Sequence, residues 1–197
     1  LPTLWFRNTW SWGEGDRKPS LYEAGPGTIA VTHHELDPYW LHCEGDPESL
    51  FTENESNAQR LWGEPNASPY VKDAFHRYIV SKQRDAVNPA RTGTKAAAHY
   101  IFELPAGASR TIRLRLTAAR MNDPFDGFDK IFESRIAEAD EFYQRIAPKS
   151  LTEDQRRVHR QALAGMLWSK QYYYFDLDKW LREHKSHPLL ESARRDV

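Results

Sequence analysis

The sequence is poor in the features that would tie it to an oxidising compartment, a membrane or a polyanion. It contains one cysteine, Cys43, which cannot close an internal disulfide. Nothing therefore demands oxidising surroundings, and the expected localisation is cytoplasmic. No apolar run approaches the roughly 18 residues that cross a bilayer. Lysine and arginine number 27 against 28 acidic residues, a formal net charge of −1. The bases are interleaved with acids, whereas phosphate binding needs clustered, uncompensated cations, so neither nucleic acid nor a membrane is an expected partner. Gly13, Gly15, Gly25 and Gly27 lack the strand-to-helix context of a phosphate loop. No serine sits in a nucleophile elbow, and Cys43 has no supporting base, so no cofactor and no nucleophilic centre are expected. The chain opens Leu1-Pro2-Thr3-Leu4-Trp5, without an initiator methionine, a basic leader or a signal-peptide core. It reads as an internal piece of something longer.

Aromatic residues, by contrast, are plentiful: seven Trp, nine Tyr and nine Phe. Such rings fill cores, and they also stack on the C–H faces of sugars while their polar edges hydrogen-bond. Up to about residue 121 the pattern is β. Thr28 to Thr32 is a β-branched run after the turn Gly25-Pro26-Gly27, and Tyr39 to Cys43 is an aromatic run bounded by Asp37-Pro38 and Gly45-Asp46-Pro47. Tyr100, Phe102 and Leu104, the turn Pro105 to Ser109, and Ile112, Leu114 and Leu116 predict a hairpin. Its aliphatic face is expected inside and Arg113 and Arg115 in water. The stretch Leu50 to Lys95 between these runs is polar and has few strand signals; Val71 to Val80 fits a short helix or a strand.

Beyond Met121-Asn122-Asp123-Pro124 the period becomes helical. Phe128, Ile131, Phe132, Ala139, Phe142, Tyr143 and Ile146 mark one helix ended by Pro148, and Thr152 to Gln155 is a capping box opening a second, from about Glu153 to Phe175. Val158, Ala162, Leu163, Met166, Leu167 and Trp168 spread over a wide arc, as on a helix covered from several sides, and the chain holds too few other helices to cover it. The tail from Trp180 turns polar and shows no packing pattern. The division expected is a β portion over residues 1–121, a linker helix over 122–148 and the start of a helical domain over 149–197.

Four groupings invite chemistry. His33, His34, Glu35 and Asp37 suggest a metal, but neighbours on a strand point to opposite faces, so turn residues at a strand end are expected instead. Glu53 with Glu55, or Asp176 with Asp178, offer carboxylate pairs of the kind a glycosidase sets about 5 to 10 Å apart; nothing marks either pair as desolvated, and no catalytic residue is assigned. Trp168 to Asp176 combines aromatic, cationic and amide groups, suiting a sugar-lined pocket or a packed helix end. Likewise the loops Phe51 to Asn57 and Asn66 to Asp73 suit a polyol site or a solvated surface.

The blocks Leu4 to Trp12, Phe51 to Glu55, Asn66 to Asp73, Gly93 to Ala98 and Ala162 to Gln171 together resemble large bacterial proteins related to glycoside hydrolase family 63. The resemblance implies an α+β architecture: the C-terminal part of an antiparallel β-supersandwich, a helical linker, and the first helix of an α/α barrel. It further implies hydrolysis of α-glycosidic bonds with inversion, by an acid and a base carried in barrel segments outside this chain. The implied partners are a carbohydrate substrate and the remainder of the catalytic domain. Trp168, Lys170 and Gln171 match the opening of the barrel and are the expected substrate-binding residues; Asn54 and Glu55 join them on a sandwich loop. A non-catalytic carbohydrate-binding or interaction module is the alternative.

Overall fold

The computed structural model describes residues 17–34, 36–170 and 176–189. Two compact units divide between Glu138 and Ala139. The first carries all of the described β structure. Strands β1 (Ser20–Gly25), β2 (Thr28–Thr32) and β3 (Tyr39–Cys43) run as an antiparallel meander. The β1–β2 turn falls at Pro26-Gly27. Gly27 has a φ of 59°, and a Cβ there would sit 2.6 Å from the Cys43 carbonyl oxygen, so only glycine fits this bend. With β5 (Thr92–Gly93) and β7 (Leu114–Thr117) on its two edges the sheet has the order β5-β1-β2-β3-β7. Strands β4 (Glu48–Thr52) and β6 (Lys95–His99) form a separate antiparallel ladder, from Glu48 opposite His99 to Thr52 opposite Lys95.

The core gathers on β4. Leu50, Phe51 and Thr52 are buried, as are Val71, Ala74, Tyr78 and Ala86 from the segment that follows. The stretch from Leu50 to Lys95, thin in strand signals, still holds the end of β4, helices α1 (Ala58–Trp62) and α2 (Ala74–Ile79), and a 3-10 turn at Arg84–Ala86. Of the two options for Val71 to Val80, the helix is the one found, over Ala74–Ile79, placing Ala74 and Tyr78, one turn apart, on the buried side.

The hairpin expected from Tyr100 to Leu116 does not form. A turn is present, with the Ala108 amide donating to Pro105 O, but its arms go to different partners. The chain reaches residue 100 from β6, bound to β4, and β7 pairs instead with β3, from Trp40 opposite Thr117 to Cys43 opposite Leu114. The faces are also the reverse of the expectation. Leu114 and Leu116 are 49% and 62% exposed, whereas Arg113 and Arg115 lie on the sheltered face. Arg113 bonds Glu44 and Asp129, and Arg115 donates to Pro124 O at 2.8 Å. Both guanidiniums lie 5.8 Å from the Phe128 ring, which opens helix α3 (Phe128–Ile146). Long arginine stems cover apolar surface while their heads find acceptors and a ring face. A period of two finds the two faces without saying which is inside.

The second unit contains the end of α3, helix α4 (Glu153–Trp168) and helix α5 (Leu177–Glu183). The capping box is present as read: the Thr152 hydroxyl accepts from the Gln155 amide, and the Gln155 side chain accepts from the Thr152 amide. Arg160 pairs with Asp140 and lies 4.9 Å from the Tyr143 ring. Helix α4 ends at Trp168, short of the expected Phe175. The tail holds α5, which the sequence reading missed; Asp176 caps it by accepting from the Lys179 amide at 3.0 Å. The wide apolar arc of α4 lies open: Val158, Met166, Leu167 and Trp168 are all exposed.

Gly93 supplies the closest backbone approach in the first unit, because a Cβ there would collide with the main chain of Thr52. Gly93→Ala is expected to lower stability by about 1–3 kcal/mol through overpacking, read as a reduced urea midpoint with an unchanged slope.

Candidate functional site

Strand β4 ends at Thr52, and the chain then turns through Glu53 to Asn57 under tight backbone control. The Glu53 amide donates to Tyr70 O at 3.2 Å, and the Lys72 amide donates to Glu55 O at 2.8 Å. The Asn54 amide donates to the Thr94 hydroxyl at 2.7 Å, and that hydroxyl donates to Glu53 Oε2 at 2.9 Å. Loop 53–57, loop 66–73 and the start of β6 are thus laced together, and the structure unites the two polar segments singled out in the sequence.

The carboxylates of this loop do not face each other as an acid and a base. Lys18 Nζ stands 2.8 Å from Glu55 Oε1 and 3.7 Å from Glu53 Oε2. Burial lowers the Lys18 pKa, but the hydrogen bonds and charges of Glu55 and Glu53 outweigh it and hold the ammonium above its usual value. An ammonium between two carboxylates suits a neutralised clamp rather than a proton-transfer pair. The other sequence candidates are also engaged: Asp176 caps α5, and Asp178 pairs with Arg182 and accepts from His187 Nε2 at 2.6 Å.

Beside the clamp lies a cluster built on amides. Asn57 caps α1, its Oδ1 accepting from the Arg60 amide at 3.1 Å and from Asn66 Nδ2 at 3.0 Å. Its Nδ2 donates to Asp73 Oδ2 at 3.1 Å, and Arg60 Nη1 reaches the same oxygen at 3.3 Å. Asn66 Oδ1 accepts in turn from the Gln59 backbone amide at 3.2 Å. An open cleft of about 760 Å3 runs over this cluster, with Asn57, Gln59, Arg60, Asn66, Ser68 and Arg77 among its lining. Gln59, Arg60 and Arg77 escaped the sequence reading; the usable signal was Asn57 standing just before a short apolar-ended helix, as an N-cap does.

Of the expected substrate-binding residues, Asn54 and Glu55 sit in the laced loop, with Glu55 turned toward Lys18. Trp168, 67% exposed, and Lys170, also exposed, stand at the end of α4, whose Ser169 amide donates to Gly165 O at 2.9 Å. Gln171 lies outside the described residues. His33 and His34 follow β2 with their rings stacked at 4.3 Å, and Glu35 also lies outside the described residues. Among the described residues no group of three or more His, Cys, Asp or Glu is arranged to hold a metal ion.

Two polar groups with shifted pKa values belong to the β unit, Glu48 at an exposed strand start and His42 buried in the sheet. Glu48 accepts from Tyr78 and bonds His99 Nδ1 at 2.9 Å, while Arg84 reaches the Tyr78 hydroxyl. Burial pushes the Glu48 carboxyl up, but these partners hold it below its ordinary value. His42, 2% exposed, bonds Thr28 Oγ1 through Nδ1 at 3.3 Å, and its Nε2 has no hydrogen-bond partner among the described residues.

No family model matches the chain, and no solved structure matches it. Over 217 aligned residues it is 37% identical to the uncharacterized protein YMR196W of Saccharomyces cerevisiae, covering 91% of this chain and 20% of that protein. The chain therefore spans about one fifth of the length of that relative. No helix among the described residues is long and apolar enough to cross a membrane.

Burial, then the charges of Arg115 and Arg120, holds the His42 pKa below its ordinary value. The folded state thus keeps this imidazole neutral at a pH where the unfolded chain protonates it. Its contribution is fully present above about pH 6.5 and is lost as the pH falls through the lower folded value. The wild-type protein is expected to lose urea resistance between about pH 7.5 and about pH 5.5, and His42→Leu to lose measurably less. An equal loss in both proteins would remove His42 as a cause.

Proposed function

We propose that this chain is the β-rich and leading helical part of a cytoplasmic α-glycoside hydrolase that resembles glycoside hydrolase family 63. In this reading the β unit is part of a β-supersandwich, α3 is the linker, and α4 is the first helix of an α/α barrel. The chain supplies carbohydrate-facing surfaces, and the acid and base come from other parts of a longer polypeptide. The observation that carries this division is the engagement of the local carboxylates: Lys18 lies between Glu53 and Glu55, and Asp176 and Asp178 hold α5. An inverting glycosidase needs two carboxyl groups about 6.5–9.5 Å apart with a water between them, and between Glu53 and Glu55 that place is taken by the Lys18 ammonium.

Further support comes from α4. Met166, Leu167 and Trp168 form an open apolar helix end, beside which Lys170 supplies a donor. Packing by the remainder of the catalytic domain would bury Met166 and Leu167, leaving Trp168 and Lys170 at the rim of a pocket where a ring can stack and polar groups can bond hydroxyls. A non-catalytic module is the second reading. It is favoured by one observation: the amide cleft is complete within the β unit.

A longer polypeptide containing this chain is expected to hydrolyse α-linked glucose oligomers and to release the β-anomer first, as followed by proton NMR. The chain alone is expected to be inactive, and Trp168→Ala in the longer protein to lower kcat/KM by about tenfold or more. First release of the α-anomer, or turnover by the chain alone, contradicts the reading.

A further inference from the structure

We infer that the outer edge of β7, with the leucine face beside it, receives a further β-strand supplied by a segment of a longer polypeptide outside this chain. Strand β7 closes one side of the five-stranded sheet, and among the described residues β3 is its one ladder partner. The hydrogen-bond phase shows which of its main-chain groups are used. The Glu44 amide donates to Arg113 O at 3.1 Å, so the main-chain groups of Arg113, and by alternation those of Arg115 and Thr117, face β3. The Cys43 amide donates to Gly27 O at 2.7 Å, away from β7, in keeping with the same alternation. The amides and carbonyls of Leu114 and Leu116 therefore point to the open edge, where no described strand meets them.

The side chains leave the same edge unprotected. Edge strands are ordinarily blunted by outward charges, proline or a bulge. The register of β7 against β3 is regular, and its arginines are drawn to the opposite face by Glu44, Asp129, Pro124 O and the Phe128 ring. What remains outside is apolar: Leu114 and Leu116 are exposed, with Ile112 before them on the same side. Leu116 stands opposite Leu41, and Leu114 opposite the buried Cys43, so this face continues inward from the rim of the sheet. A helix could cover the leucines, but free donors and acceptors along the edge call for an extended strand with apolar residues at every second position. The occupant follows from length and charge. The chain covers 20% of the yeast relative, so most of that polypeptide lies outside the match. A second copy fits less well: pairing two β7 edges antiparallel so that Leu114 meets Leu116 sets Arg115 opposite its twin, a like-charge pair. The inference shares with the hydrolase reading only the longer polypeptide, and no sugar chemistry enters it.

The test is residue-resolved hydrogen exchange of this chain alone and of a longer polypeptide that contains it. The Leu114 and Leu116 amides are expected to exchange freely in the chain and about 100-fold or more slowly in the longer polypeptide, with the Arg115 amide protected in both. Free exchange of Leu114 and Leu116 in both proteins overturns the inference. So does protection already present in the chain alone: a second copy holds the edge if that protection grows with concentration, and the chain's own residues hold it if it does not. Leu116→Asp is expected to lower the urea midpoint of the longer polypeptide and to leave that of the chain almost unchanged; an equal loss in both also contradicts the inference. None of these readouts involves glycoside turnover, so this inference and the hydrolase reading fail separately.

Discussion

Strand β4 is held from several directions, and Thr52 is where those contacts meet. Its hydroxyl donates to Val71 O at 2.9 Å, its carbonyl accepts from the Thr94 amide at 3.1 Å, and Gly93 packs against its main chain. All of this occurs at a fully buried position. Leaving such a group unsatisfied costs about 1–3 kcal/mol, so the segments around residues 71 and 94 are fixed relative to β4. From there the constraint passes outward. Tyr70 and Lys72 bracket the Glu53–Glu55 loop, Thr94 binds it from the other side, and Asp73 receives Asn57 and Arg60. The amide cleft is one consequence of a strand end that cannot move.

The second governing feature is neutralisation. The chain carries nearly balanced charge, and the β unit spends much of it locally: Lys18 on two glutamates, Arg91 on Glu23, and Arg113 on Glu44 and Asp129. Exposed pairs of this kind add little stability singly. Their effect here is positional, because they decide which polar groups remain open. The carboxylates are largely taken, while Gln59 and the end of Arg77 are left over.

Much of the scaffold was legible from the sequence. Strands β2 and β3, helix α3, and the capping box of α4 fall where β-branched runs, Gly-Pro punctuation and helical spacing placed them. The failures have physical causes. Leu114 and Leu116 turned outward because Arg113 and Arg115 found acceptors and the Phe128 ring on the other face, and alternation alone carries no sign. The 100–116 hairpin failed because β3 and β4 offered non-local partners, which local pattern cannot reveal. Strand β4 was overlooked inside a polar stretch because Leu50 and Phe51 are too few to form a run. Of the site, the loops were visible as composition, and Asn54 and Glu55 as a resemblance. The cleft residues Gln59 and Arg77 became meaningful only once the fold left their side chains uncommitted.

The central claim is that the 53–73 region is a preorganised surface hung on β4 rather than a solvated loop. Native-state hydrogen exchange of individual amides tests it directly. The amides of Glu53, Asn54, Lys72 and Thr94, all hydrogen-bonded in the fold, are expected to exchange as slowly as those of Leu50 and Phe51 and to open with them in one cooperative step. Exchange of these four at the rate of an unprotected loop, while β4 stays protected, would contradict it.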